Sequence, residues 1–223
     1  MDILPRYIHQ VNPKLKHTYL SFDDEGTLII RSPKLTKTEI ERILIKKSKW
    51  ITRARQRLAH KKGRLDTFDE TTKIYYLGQA YPLILRQHTK QRDLLDFDRR
   101  HFTLHYHHYD KNTFMKRFNA FYRKELQAII PPLVKMWAER MGVHPVAITF
   151  RKTKRQWGSC SSTNRLSFNT MLAKVPLEAI EYVVVHELAH IRHKHHQKAF
   201  WQLVAAHLPD YQERIAILKT YTP

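Results

Sequence analysis

Apolar and polar positions alternate in short runs over the first 33 residues. YIHQV, HTYLSF and TLIIRS, separated by Asn12-Pro13 and Asp23-Asp24-Glu25-Gly26 and ended by Ser32-Pro33, predict three strands. The period then lengthens. Ile40, Ile43, Leu44, Ile51, Ala54 and Leu58 recur at helical spacing, which predicts a helix over 36–61 that Thr36 or Thr38 can cap. Strand-like pieces return at 73–77, 81–86 and 101–107. Gly78-Gln79 is the turn between the first two, and Pro82 suggests an edge position for the second. From 112 to 141 the spacing of Phe114, Phe118, Phe121, Ile129, Leu133 and Trp137 predicts a long helix. Pro131-Pro132 should kink or split it, and Gly142 should cap it. Extended pieces follow at 146–152 and around 165–170, then helices over 177–193, 197–207 and 210–219. The change from mixed strands to helices near residue 110 divides the chain into an N-terminal strand and helix region, 1–110, and a core, 111–223.

Composition supports a folded chain: 42% of the 223 residues are hydrophobic and 11% aromatic, enough to bury a core. The start, MDILPRYIHQ, lacks the basic and then apolar run of a secretory signal, and no apolar stretch is long enough to cross a bilayer. One cysteine, Cys160, excludes an internal disulfide. These features together predict a cytoplasmic protein with no membrane partner. Charge adds a second theme, because 40 Lys+Arg against 20 Asp+Glu give +20. Residues 34–64 hold 12 Lys/Arg and 2 Glu. That stretch reads first as a solvated helix face and second as a weak nucleic-acid or polyanion contact.

The chemistry concentrates at His186-Glu187-Leu188-Ala189-His190, inside the helix predicted from Pro176 onward. Residues i and i+4 project from one helix face, so two imidazoles can grip one ion. Glu187 lies beside the first of them, where its carboxylate can reach a water without ligating the metal. With 15 histidines in the chain, such a pattern arises by chance in roughly 4% of sequences of this composition, so its helical context matters. A third ligand must come from elsewhere. In an unbroken helix residue 193 lies about 60° from residue 190 and residue 196 about 240°. His196 therefore serves only if the helix breaks near residue 193 and the chain turns back. Spacing alone leaves His196 and His193 nearly equal, with His195 behind them. Cys160 is not needed as a nucleophile by a metal-water mechanism and is a weak fourth-ligand candidate. His101, His105, His107 and His108 alternate like a strand surface and read as mostly solvated.

The segments QWGSCSS (156–162), RLSFNTML (165–172), the YVVVHELAH run ending at 190 and HxxHxxxFW (193–201) closely resemble the YgjP-like metal-dependent hydrolases, relatives of the SprT-like and minigluzincin peptidases. The N-terminal half is also similar, with Trp50-Ile51 near a helix end and a Tyr-Leu-Gly turn at 76–78. The resemblance implies that His196, the histidine before Phe200-Trp201, is the third ligand. Two departures stand out. His195-His196-Gln197 replaces the frequent Asn-His-Ser, losing a good N-cap for the next helix. Gln156 stands where an Arg often precedes Trp-Gly-Ser-Cys, with Arg155 one step earlier. Trp157 and Gly158 read mainly as core filler and turn, with a cleft-lining role as the alternative.

The fold expected is α+β: a small antiparallel-strand N-terminal part packed on a zincin-like helical core whose 177–193 helix carries the HExxH motif. The function expected is zinc-dependent hydrolysis. His186, His190 and His196 hold one Zn²⁺, and Glu187 activates the metal-bound water. A peptide or protein is the first substrate class. The alternatives are a nucleoside-triphosphate phosphoanhydride, and a basic nucleic-acid module using the metal for structure only.

Overall fold

The first 61 residues and the rest of the chain form two compact units in a computed structural model that describes residues 5–23, 26–59, 61–63, 67–90, 92–153 and 155–222. Unit one holds β1 (Tyr7–Val11), β2 (Tyr19–Phe22), β3 (Leu28–Ser32), α1 (Lys37–Lys46) and α2 (Ser48–Ala59). β3 is the middle strand, parallel to β1 and antiparallel to β2. That position accounts for its nearly continuous burial. Leu28 and Ile30 pack with Ile40, Leu44 and Ile51 of the helices into a small core. Thr36 starts α1 through a capping box, donating its amide to Glu39 Oε2 at 2.7 Å while its hydroxyl accepts from Glu39 N at 3.3 Å. The single helix expected over 36–61 is divided, because Lys47 leaves helical geometry at φ −101°, ψ 8°.

Unit two contains two further sheets. The first joins β4 (Lys73–Tyr76), β5 (Gln79–Gln87), β6 (Leu94–Phe97) and β7 (Phe102–Tyr106) in the order β4-β5-β7-β6. Pro82 therefore lies in an inner strand, and the pairing register shows how it is tolerated. β4 pairs with residues 79–82 of β5 and β7 with residues 83–87, so Pro82 sits in a stretch with one neighbour only. The second sheet, order β8-β10-β9, joins β8 (Ala147–Arg151), β9 (Gly158–Cys160) and β10 (Arg165–Asn169). Each of the three sheets mixes parallel with antiparallel pairing.

Helices α3 (Lys111–Met141), α4 (Leu177–Arg192), α5 (Lys198–His207) and α6 (Tyr211–Lys219), with a 3-10 turn at Thr170–Lys174, complete an α+β architecture. α3 runs through Pro131-Pro132 without being split. The amide donors lost there would have served the carbonyls of Gln127 and Ala128, both exposed residues, where water can satisfy freed acceptors. Its buried stripe is Phe114, Phe118, Tyr122, Leu126, Ile130 and Val134, while Phe121, Ile129 and Leu133 flank it. The same core takes in Phe102 and Leu104 of β7 and the apolar side of α4. Tyr122 donates to the Tyr75 carbonyl at 2.9 Å and Tyr76 to Glu125 at 2.6 Å. These links tie β4 to α3 within the second compact unit. No helix among the described residues is long and apolar enough to cross a membrane.

Candidate metal centre

α4 is buried nearly all round. Ala179, Ile180, Tyr182, Val183, Val184, Val185, Leu188 and Ala189 are all in the core, the pattern of a helix at the centre of a domain. Pro176 occupies its N-cap at φ −58°. The helix ends at Arg192, since His193 adopts φ −125°, ψ 99°. A short turn follows, closed by Gln197 N donating to His195 O at 2.8 Å, and α5 begins at Lys198. The chain thus breaks and turns back within five residues. That is the condition under which His196 can return to the α4 face.

His196 Nε2 lies 3.0 Å from His186 Nε2. One nitrogen each of His186, His190 and His196 falls within 4.8 Å of the other two. Among the described residues this is the one group of three or more potential metal-binding side chains. The His193 ring is outside it, yet His193 contributes through its backbone. Its carbonyl accepts from His190 Nδ1 at 3.0 Å. A carbonyl can only accept, so His190 carries its proton on Nδ1 and leaves Nε2 as a lone pair. His186 Nδ1 meets the Tyr182 hydroxyl at 3.0 Å, a contact that holds the first ring with its Nε2 toward His196 Nε2. Below the three rings sits Phe200, fully buried, with its centroid 4.6–4.9 Å from each. Trp201 stacks on His196 at 5.7 Å.

Burial dominates the electrostatics. It depresses His186 to about 3, reinforced by His190 and His196, and also lowers His190. Both rings are thus held neutral, the form that donates a lone pair to a metal. Glu187 is 4% exposed, and burial pushes its carboxyl up to about 8. Its Oε2 is buried and has no hydrogen-bond partner among the described residues. A buried polar oxygen of this kind calls for a partner that the described residues do not supply.

Nearby, Lys194 donates to Asn164 Oδ1 at 2.7 Å and to the Ser161 carbonyl at 3.2 Å, tying the loop that carries His196 to the turn between β9 and β10. Burial raises the Cys160 thiol, against the opposing charge of Lys194. A raised thiol is no activated nucleophile. The position of Gln156 is engaged in backbone support, its carbonyl accepting from Thr153 Oγ1 and Asn169 Nδ2. Gly158 stands in β9, paired with Phe168, and not in the turn expected for it. His101 and His105 meet Asp98 and Asp96 at 3.3 and 3.4 Å on the strand surface. Lys46, Lys47, Lys49, Arg53, Arg55 and Arg57 are exposed on unit one. Sequence reading did not anticipate Tyr182 or Phe200. Tyr182 carried a signal, since it precedes His186 by one helical turn, whereas the approach of Phe200 depends on the loop geometry.

Among solved structures, the metallopeptidase zymogen abylysin of Pyrococcus abyssi is similar, with 20% identity, coverage of 41% of this chain and 92% of that one, and a TM-score of 0.39. No curated protein matches the chain. The family model described as YgjP-like, metallopeptidase domain, matches residues 16–221, and the chain belongs to that family.

Proposed function

We propose that this chain is a zinc-dependent peptidase in which His186, His190 and His196 hold the ion and Glu187 is the general base. The observation that carries the reading is the convergence of three imidazole nitrogens within 4.8 Å, with Glu187, the residue after the first of them, presenting a buried carboxylate oxygen that has no partner among the described residues. The donor set fits zinc, which takes neutral imidazole readily, and three protein ligands mark a catalytic site where structural sites use four. Once bound, the ion would polarise the attacked carbonyl, acidify a water and, by its charge, favour ionised Glu187.

The remaining work falls to the chain itself. Tyr182 and the His193 carbonyl fix the two helix imidazoles with their Nε2 atoms turned inward. Phe200 and the apolar side of α4 exclude water from below, which strengthens every charge interaction above them. Glu187 Oε2 takes the proton of the attacking water and later returns it to the departing amine. A peptide suits these surroundings better than a phosphoanhydride. The Lys194 ammonium, next to His193 and His195 in the chain, is already engaged by Asn164 and Ser161 and is not left over for phosphate oxygens.

The test is Glu187→Gln, assayed with metal-loaded protein against denatured protein substrates and a nucleoside-triphosphate panel. The variant should keep its metal and lose peptide hydrolysis by roughly 10²-fold or more. Loss of metal in this variant would make Glu187 a ligand, and full turnover would remove it as the base. Turnover of triphosphates with none of any peptide would move the site to phosphoanhydride chemistry.

A further inference from the structure

Gly158 has no conformational reason to be glycine. It is a paired residue of β9, opposite Phe168, and glycine in a strand interior weakens the strand. Its reason lies across the gap to α4. A Cβ built at position 158 would stand 2.6 Å from Glu187 Oε1, 2.7 Å from Cγ and 2.9 Å from Cδ. Ordinary carbon contacts begin at ~3.5 Å, so even alanine would overlap the carboxylate by ~1 Å. Glu187 has little room to yield, being 4% exposed on a helix whose neighbouring residues are core. Nor does a hydrogen bond hold Oε2, which is buried without a partner among the described residues. The backbone of β9 is thus a wall against which this side chain rests.

We propose that Gly158 is a positioning residue for Glu187: the missing side chain lets the β9 backbone fix where the carboxylate stands. This rests on the reading of Glu187 as the base, and it adds the element that places it. The β9 strand acquires a function that its three residues, Gly158–Cys160, would not suggest alone. It is held by β10 on one side, through the pairs Leu166↔Cys160, Ser167↔Ser159 and Phe168↔Gly158. Asn169 N anchors its entrance by donating to Trp157 O at 2.8 Å. β9 is thus fixed along its β10 edge, and the atoms that added bulk at 158 would meet first are those of Glu187.

A double-mutant cycle on the full chain tests this, read as thermal stability with the metal and after chelation. Gly158→Ala should lower Tm by about 3–10 °C where Glu187 is present, the cost of overfilling a packed site. In the Glu187→Ala background the same change should be neutral or slightly stabilising, because the overlap is gone and alanine is the better strand residue. An equal Tm loss in both backgrounds, or failure of Gly158→Ala to fold in the Glu187→Ala background, would overturn the proposal. So would an unchanged Tm for Gly158→Ala alone. The second readout is kinetic. Gly158→Ala should keep its metal, leave KM within a few-fold and lower kcat by roughly 10²-fold, as a ~1 Å displacement of a reacting group implies. A loss confined to KM would overturn the positioning role. The stability cycle does not use turnover, so it stands or falls separately from the assignment of Glu187 as base.

Discussion

His186 and His190 are aimed by different partners, and the difference predicts how each fails. The Tyr182 hydroxyl holds His186 Nδ1 at 3.0 Å, while a backbone carbonyl, that of His193, holds His190 Nδ1. Tyr182→Phe removes only the hydroxyl from a largely buried ring, so the fold should persist while metal affinity falls about 10–100-fold, the usual cost of losing such an orienting bond. Competition with a chelator of known affinity measures it, and unchanged affinity would show that the hydroxyl does not orient the ligand. For His193 the contact is main-chain, so His193→Ala should leave metal occupancy near wild type. His196→Ala should strip most of it, because that ring is the one within 3.0 Å of His186 Nε2. Elemental analysis of the two variants side by side decides, and the reverse pattern would relocate the third ligand. Spacing on the helix made His186, Glu187 and His190 legible in the sequence. Spacing leaves His193 and His196 open, because that choice hangs on the φ and ψ of one residue after the helix, and in the sequence only the family resemblance favours His196.

Elements with a clear apolar period are legible in the sequence, short strands such as β1 and β4 included, and two strands are not. α4, α5 and α6 lie within a residue or two of the spans that their apolar spacing predicts. β6 and β9 were invisible, for physical reasons that differ. β6 is four residues, with Leu94 and Asp96 exposed, and its place comes from pairing with β7. β9 is Gly-Ser-Cys, a sequence with no strand propensity, and β10 imposes its conformation. The two prolines of α3 misled in the opposite direction, since tertiary burial of the Phe114–Val134 stripe outweighs two lost bonds on the wet side. One turn couples the β4–β5 hairpin to the start of α4. Leu77 N and Gly78 N donate to the Ala173 and Lys174 carbonyls at 2.8 and 3.0 Å, and Gly78 has φ +84°. A Cβ there would stand 2.5 Å from Pro176 Cγ. Gly78→Ala combines left-handed strain with overlap and should destabilise unit two by about 2–4 kcal/mol. Urea denaturation is the measurement, and a loss under ~1 kcal/mol would mean that the hairpin is free to shift away from α4.

Unit two has its own core and closes on itself, with Lys62 N donating to Thr220 O at 2.8 Å and Lys62 bridging Tyr221. A chain of residues 62–223 should therefore fold and bind metal, as circular dichroism and metal analysis would register; an unfolded product would show that the division is not one of stability. The same unit contains a buried lysine that sets how the protein responds to alkali. Lys174 is 5% exposed, and its Nζ donates to the Gly63 carbonyl at 2.6 Å. Burial, with a smaller push from Lys152, depresses it from 10.5 to about 8. Between those values the unfolded chain keeps a proton that the native chain has released, so stability must rise with pH. Below pH 8 both states are protonated and the full burial cost is present, up to about 3 kcal/mol by the linkage relation. Above about pH 10 the sign reverses. Tyr76, Tyr122 and Tyr182 are all raised by burial, so the unfolded chain ionises its tyrosines first and is favoured. Stability should climb from pH 8 and turn over near pH 10. The fall in net charge toward the pI of about 10.1 relieves repulsion in the same window, which is why a control is needed. Lys174→Met keeps the buried stem without the ammonium, so the wild-type rise between pH 8 and 10 should shrink in this variant while the decline above pH 10 remains. Urea melts at half-unit steps would resolve the two curves. Parallel curves would mean that Lys174 keeps its proton when buried, its charge met by the Gly63 carbonyl and the Tyr122 ring 5.9 Å away.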